Sequence, residues 1–177
     1  MNVPFLDLRA QHRSIKAELI PLWEEILDSA AFVGGKHVAG FEEEFAQACG
    51  APHCIAVANG TVALQFIFEA LGLNQGGEVI VPVNTFIATS EAVSAARGKP
   101  VFVDVLPDSY NIDPAKIEQA ITPRTRGIVA VHLYGQPADM DEVTAIAGRH
   151  GLWVVEDAAQ AHLAEYKGRR AGSMGVA

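Results

Sequence analysis

Residues that could bind a ligand follow several of the apolar segments that we expect to form strands. Asn59, Gly60 and Thr61 follow the first such segment and begin a helical pattern. The N–H groups at a helix N-terminus can bind an anion, and glycine lets a ligand approach the backbone closely. Phe86 follows the second segment, and an aromatic ring at a strand end can stack on a flat ligand. Considered alone, the first group is more typical of a capped turn, and Phe86 of a core residue.

A carboxylate follows the last apolar segment. Asp157 lies in the sequence EDAAQAH of residues 156–162. A carboxylate at the end of a buried strand is costly without a cationic partner, and no Arg or Lys is adjacent in the sequence. The protonated ring nitrogen of a cofactor would provide that partner. A helix-capping aspartate is the alternative interpretation.

These features predict one site, because ligands of open α/β sheets bind at the carboxyl ends of the strands. An anion-binding turn at Gly60 and Thr61, an aromatic ring at Phe86 and an acid at Asp157 suit a flat, phosphorylated ring that contains nitrogen. Pyridoxal phosphate is such a ring, with its phosphate at the helix N-terminus and its pyridine nitrogen at Asp157. Holding that nitrogen protonated makes the ring an electron sink for carbanion chemistry.

After residue 53, short apolar segments alternate with helical patterns. The strands and helices that these patterns predict would position the candidate residues. Because the apolar segments are continuous, they predict a mostly parallel sheet covered by helices on both faces. Asp113 and Gly151 supply an N-cap and a C-terminal glycine for two of the helices. The predicted strands are Cys54–Ala58, Glu78–Val81, Val101–Val105, Ile128–His132 and Leu152–Val155. The predicted helices are Thr61–Leu71, Phe86–Ala96, Pro114–Ala120 and Met140–His150.

Residues 1–52 are expected to form an N-terminal helical arm. Two apolar stripes at helical spacing indicate its helices: Ile15, Leu19, Leu22 and Ile26, then Val38, Phe41, Phe45 and Ala48. The predicted fold class is therefore α/β, with the arm preceding a partial cofactor-binding domain over residues 53–177. That domain has a mostly parallel sheet with helices on both faces.

Composition and charge exclude several classes of protein. The chain has 177 residues, of which 50% are apolar and 19% charged, and its net charge is −8. Such apolar content excludes a disordered acidic tail, and an acidic balance without a basic stripe argues against binding of nucleic acid. No apolar run approaches the roughly 18 residues of a membrane span, so no membrane partner is expected. Cys49 and Cys54 suggest neither a disulfide framework nor a metal site, and we expect a cytoplasmic protein.

The order and spacing of several motifs resemble the DegT/DnrJ/EryC1/StrS family, the sugar aminotransferases among the fold-type-I pyridoxal phosphate enzymes. The matching motifs extend from PFLDL at residues 4–8 to GSMG at residues 172–175. Between them lie NGTVAL (59–64), TFIAT (85–89), ITPRT (121–125), HLYGQP (132–137), EDAAQAH (156–162) and YKG (166–168).

The resemblance implies a role for each candidate residue. Gly60 and Thr61 would bind the cofactor phosphate, and Phe86 would stack on the ring. Asp157 would pair with the pyridinium nitrogen, and Gln160 would lie near the phenolic oxygen of the ring. The family moves an amino group, usually from glutamate, to a keto carbon of a nucleotide-linked sugar, with pyridoxamine phosphate as the aminated form of the cofactor. The resemblance also implies a homodimer, in which each site would be built from both chains.

Two positions depart from the family pattern. The family's Schiff-base lysine follows the Gly-Ser-x-Gly motif, whereas this sequence ends at Ala177, before that position. Lys167 belongs to the Tyr-Lys-Gly motif, so we interpret it as a surface lysine. We therefore expect a truncated chain, lacking the C-terminal half of the large domain and the small domain, that is inactive alone. Leu163 stands where many relatives carry glycine, and we interpret the preceding His162 as a structural residue.

Two alternatives remain open from the sequence. A sugar dehydratase of the same family has histidine in place of the lysine, and the deciding residue would follow Ala177. A non-catalytic partner, which completes the site of a longer subunit by dimerising, would agree with the low charged fraction and the N-terminal arm. A nucleotide-binding Rossmann domain shares the fold class, but the sequence contains neither GxGxxG nor a Walker A motif.

Overall fold

The computed structural model describes residue 3 and residues 5–177. It divides into two compact units, Met1–Phe41 and Glu42–Ala177. This division falls inside the second helix, and the arm boundary at residue 52 stays a prediction. None of the helices in the described part of the chain is long and apolar enough to cross a membrane.

The first unit contains helix α1 (Leu8–Ser29) and the beginning of α2 (Lys36–Cys49). The Asp7 side chain caps α1 by accepting the N–H of Ala10 at 3.0 Å. No residue of α1 is buried, so its apolar stripe forms no core within this unit. Both helices that the apolar stripes predict are present.

The second unit contains a parallel sheet of four strands in the order β2-β1-β3-β4. The strands are β1 (Glu78–Pro82), β2 (Lys99–Val103), β3 (Thr125–Val131) and β4 (Trp153–Asp157). The helices are α3 (Gly60–Ala70), α4 (Ile87–Ala95), α5 (Pro114–Ala120) and α6 (Met140–His150). Two short antiparallel strands, β5 (Glu165–Tyr166) and β6 (Arg169–Arg170), follow the sheet.

The helices cover both faces of the sheet, because successive side chains of a strand point to opposite sides. One buried cluster joins α3 and α4 to Val79, Val81, Val129, Val131 and Val155. The other joins α5 and α6 to Ile80, Val103, Ile128, Ala130 and Val154. The predicted fold class, a mostly parallel α/β sheet with helices on both faces and helices before it, is therefore confirmed.

The predicted strand Cys54–Ala58 is wrong, because these residues form no strand. A strand requires backbone pairing with a neighbour, and the Ala56 N–H donates instead to the Glu42 carboxylate at 2.7 Å. Part of the outer edge of β4 is taken by the C-terminal residues, since the N–H of Val176 donates to the Val154 carbonyl at 2.8 Å. The strand prediction failed here because it rested only on the apolar character of the segment.

Candidate functional site

A cavity of about 250 Å³ opens at the carboxyl ends of β1, β3 and β4, beside the N-terminus of α3. It is lined by every predicted site residue: Gly60, Thr61, Phe86, Asp157 and Gln160. Leu64, Thr85, Ala88, Thr89, Val131, Leu133 and Ala159 complete its wall. The parallel topology thus brings together residues that are far apart in the sequence.

The N-terminus of α3 offers hydrogen-bond donors to this cavity. The Asn59 side chain caps the helix by accepting the N–H of Val62 at 3.0 Å. Within residues 5–177, no group accepts the N–H of Gly60 or Thr61. Apart from its chain neighbours and the backbone of α3, no described residue has a heavy atom within 4 Å of the position that a Cβ of residue 60 would occupy. Two free N–H groups and the Thr61 hydroxyl at a helix N-terminus are suited to a phosphate.

Phe86 lines the cavity and lies immediately before α4. Its side chain is 71% exposed, so it is not a core residue of this chain. Exposure of a large aromatic ring is unfavourable in water. The ring is therefore available to stack on a flat ligand held between it and the sheet.

Asp157 is the last residue of β4 and is half-buried in the cavity wall. Its Oδ2 accepts the Thr89 hydroxyl at 2.8 Å, and its Oδ1 accepts the Ala159 N–H at 3.2 Å. Within the described residues no Lys, Arg or His forms an ion pair with it. No helix begins after it, so the alternative role as a helix cap is not realised. A cationic group of a ligand would supply the missing countercharge.

The Gln160 amide has a defined orientation in the same wall. Its Oε1 accepts the Tyr134 N–H at 2.7 Å, and a backbone N–H can pair only with the oxygen end of an amide. Nothing in the described part of the chain accepts a hydrogen bond from its Nε2. The two amide protons are therefore free to donate to an oxygen of a ligand.

Pyridoxal phosphate fits this arrangement of donors and acceptors. The N–H groups of α3 that have no acceptor among the described residues match its phosphate. The Asp157 carboxylate, which forms no ion pair with any of those residues, matches its protonated ring nitrogen. The exposed Phe86 ring offers a stacking surface, and the free Gln160 amide offers a donor for the phenolic oxygen. Each observation concerns a different part of the same ring.

A buried pair of side chains that does not line the cavity was not predicted from the sequence. Glu156 accepts the N–H groups of Gly172 at 2.8 Å and of Met174 and Gly175 at 2.5 Å. It also contacts His132 Nε2 at 2.8 Å. Because His132 Nδ1 accepts the Ala138 N–H at 3.0 Å, Nε2 carries the proton and donates to Glu156. The sequence signal was the alternation of β4, which puts Glu156 and Asp157 on opposite faces.

This hydrogen-bonding changes the titration of Glu156. Burial opposes ionisation of the carboxyl group, but the hydrogen bonds from His132 and the three backbone N–H groups prevail and lower its pKa. Glu156 is therefore a buried carboxylate that joins β4 to the turn at residues 172–175.

Lys167 and His162 lie outside the cavity. The Lys167 Nζ donates to Asp141 at 2.6 Å, and this hydrogen bond raises the pKa of the lysine. A permanently protonated amine is a poor nucleophile, which agrees with its interpretation as a surface lysine. His162 contacts Phe45 edge-on, with ring centroids 6.0 Å apart. Leu163 adopts φ 61°, a conformation that glycine favours.

Known proteins resemble this chain closely. A dTDP-3-amino-3,4,6-trideoxy-alpha-D-glucose transaminase from Streptomyces venezuelae is 49% identical over 172 residues, which cover 97% of this chain and 45% of the relative. A crystal structure of S. venezuelae DesV in complex with a ketimine intermediate has a TM-score of 0.94 at 49% identity, covering 97% of this chain and 46% of that one. The chain thus spans about half the length of these proteins.

A further solved structure contains an aminated cofactor. NtdA from Bacillus subtilis with bound cofactor PMP has a TM-score of 0.86 at 40% identity, covering 90% of this chain and 37% of that one. Residues 13–177 match the model of one protein family. The match extends over almost the whole sequence and includes every residue that lines the cavity. The chain therefore belongs to the DegT/DnrJ/EryC1/StrS aminotransferase family.

Proposed function

We propose that this protein is a pyridoxal phosphate-dependent aminotransferase that transfers an amino group, with glutamate as donor, to a keto carbon of a nucleotide-linked sugar. The observation that carries the proposal is the cavity, which combines an exposed aromatic ring with N–H groups that have no acceptor, and an acid that has no cation, among the described residues. The similarity to a dTDP-sugar transaminase supports the substrate class.

Each cavity residue has a defined task in this proposal. Gly60 and Thr61 bind the phosphate, and Phe86 covers one face of the ring. Asp157 holds a proton on the ring nitrogen, and the Gln160 amide donates to the phenolic oxygen. When bound, the cofactor supplies an electron sink for the carbon that carries the amino group. The residues of this chain therefore bind and orient the ring and keep its nitrogen cationic.

The 177 residues supply binding groups but no lysine at the cavity. The five lysines are Lys16, Lys36, Lys99, Lys116 and Lys167, and none lines the cavity. We therefore propose that this chain alone binds the cofactor, including its pyridoxamine form, without completing amino transfer. We include a homodimer in the proposal, because Val83, Phe86 and Ile87 are each more than half exposed beside the cavity.

Calorimetric titration of the chain with pyridoxamine 5′-phosphate tests the proposal. We expect binding that weakens about tenfold in Asp157→Asn, because a neutral amide cannot balance a cationic ring nitrogen. Asp113→Asn is the matched control, since Asp113 caps α5 away from the cavity and asparagine also caps helices. Pyridoxamine without the phosphate should bind more weakly than the phosphate ester. Equal binding of both compounds, or amino transfer from glutamate to a keto sugar by this chain alone, would contradict the proposal.

A further inference from the structure

A chain of two hydroxyl groups leads to the Asp157 carboxylate. Thr89 Oγ1 lies 2.8 Å from Asp157 Oδ2, and Thr85 Oγ1 lies 2.9 Å from Thr89 Oγ1. Thr89 is 1% exposed, in the first turn of α4. All three residues line the cavity. The contact therefore links α4 to the end of β4 inside the candidate site.

The direction of the two hydrogen bonds follows from the charge of the acid. An ionised carboxylate can only accept, so Thr89 uses its single hydroxyl proton for Asp157. The Thr89 oxygen is then the acceptor in its other contact, and the Thr85 hydroxyl donates to it. Both hydroxyl dipoles therefore point their positive ends toward the Asp157 carboxylate.

The carboxylate is also fixed in orientation. Its two oxygens are held by different elements, Oδ2 by the Thr89 hydroxyl of α4 and Oδ1 by the Ala159 N–H of the following turn. Two contacts on separate oxygens prevent rotation of the group about its bond to Cβ. The lone pairs that remain therefore have a defined direction at the cavity wall.

We propose that Thr89, supported by Thr85, is a positioning residue that orients the ionised Asp157 carboxylate toward a cationic ring nitrogen in the cavity. This inference rests on the proposed function, because it needs a ligand whose ring nitrogen pairs with Asp157. Thr89 itself makes its hydrogen bond to the acid and acts on the ligand through it. Its effect should therefore depend on whether the ligand has that nitrogen.

A comparison of two ligands tests this dependence. One is pyridoxamine 5′-phosphate, and the other is its 1-deaza analogue, in which a C–H group replaces the ring nitrogen. Thr89→Val removes the hydroxyl with little change in shape, and Thr89→Ser keeps a hydroxyl. Thr144→Val is the matched control, because the Thr144 hydroxyl donates to the Met140 carbonyl within α6. Dissociation constants of both ligands are measured by calorimetry for all four proteins, and circular dichroism checks that each is folded.

We expect the unchanged chain to prefer the nitrogen-containing ligand. Thr89→Val should reduce that preference about tenfold, because a charge-assisted hydrogen bond to Asp157 is lost. It should leave the affinity for the deaza analogue within about twofold. Thr89→Ser should restore most of the preference, and Thr144→Val should leave it unchanged.

The outcomes that contradict the two proposals differ. If Thr89→Val weakens both ligands equally, or neither, the positioning role of Thr89 is wrong while the binding function stands. If the unchanged chain binds neither ligand, the proposed function and this inference are both wrong. If it binds both ligands equally, the pairing with Asp157 is wrong, and the role of Thr89 with it.

Discussion

Asp157 and Glu156 are adjacent acids of β4 with different surroundings, because neighbouring side chains of a strand face opposite sides of the sheet. Asp157 accepts two hydrogen bonds beside the cavity. Glu156 is buried and accepts from four donors. The hydrogen bonds that Glu156 accepts all come from groups of the fold itself, whereas Asp157 has no cationic partner in the described part of the chain. We therefore assign a structural role to Glu156, whereas Asp157 is the acid that the proposed function assigns to ligand binding.

Glu156→Gln should destabilise the protein in a pH-dependent way. We expect a loss of about 3 kcal/mol in the free energy of unfolding at neutral pH, because the amide NH₂ would face N–H donors in a buried site. The pKa of Glu156 in the folded state lies below its ordinary value of 4.5. Its stabilising contribution is therefore full above that value and is lost as the pH falls through the folded pKa. Urea unfolding at neutral pH and at several pH values below 4.5 measures this difference.

Glu118→Gln is the matched control for this substitution. Glu118 pairs with Arg149 at 2.6 Å on the surface, with half of its side chain exposed. Surface ion pairs contribute little to stability, so we expect a small change. An effect of Glu156→Gln no larger than that of the control would contradict the role of Glu156.

At the scale of elements, the packing of β3 against β4 depends on a residue without a side chain. Gly127 lies opposite Trp153, and a Cβ at residue 127 would lie 2.0 Å from the Trp153 ring. That ring stacks on Phe68 of α3 with centroids 5.8 Å apart. It therefore cannot move away without disturbing the core between the sheet and α3.

Gly127→Ala should lower the free energy of unfolding by about 2 kcal/mol, because it overpacks this contact. Gly148→Ala in α6 is the matched control, since among the described residues only its chain neighbours and the backbone of α6 could lie within 4 Å of the added Cβ. There alanine should stabilise the helix by up to about 1 kcal/mol. Thermal unfolding measures the change in stability of both variants. If the two substitutions changed stability in the same direction, the predicted overpacking against Trp153 would be contradicted.

The elements that the sequence predicted well are those with local signals. The predicted bounds of Pro114–Ala120 and Met140–His150 agree with the structure, because Asp113 caps one helix and Gly151 ends the other. Cys54–Ala58 was mispredicted because strand formation depends on a partner that is distant in the sequence. Local sequence patterns therefore predict helices better than they predict the strands of a sheet.

The same distinction applies to the candidate site. Its five predicted residues share one cavity because ligand residues gather where parallel strands end. The side-chain contacts within and near the site were not predicted, since Thr89 and Asp157 are 68 positions apart and His132 and Glu156 are 24 apart. Such pairs become visible only once the register of the sheet is known.

At the scale of the whole molecule, the cavity is built from distant parts of the second unit. Gly60 and Thr61 begin α3, and Phe86 precedes α4. Asp157 ends the last strand of the sheet, and Gln160 follows it. A ligand that binds all of these groups binds only when α3, α4 and the sheet are assembled. Binding should therefore stabilise the folded unit as a whole rather than one loop.

Pyridoxamine 5′-phosphate should consequently raise the melting temperature of the protein. At one hundred times its dissociation constant, a ligand of the folded state adds about 2.7 kcal/mol, which for a unit of this size corresponds to a rise of about 5–10 °C. Asp157→Asn, with about tenfold weaker binding, should show roughly half of that stabilisation at the same ligand concentration. Scanning calorimetry with and without the ligand measures both shifts. Pyridoxamine without the phosphate is the control. If the phosphate ester left the melting temperature unchanged, the proposal that α3, α4 and the sheet bind one ligand together would be contradicted.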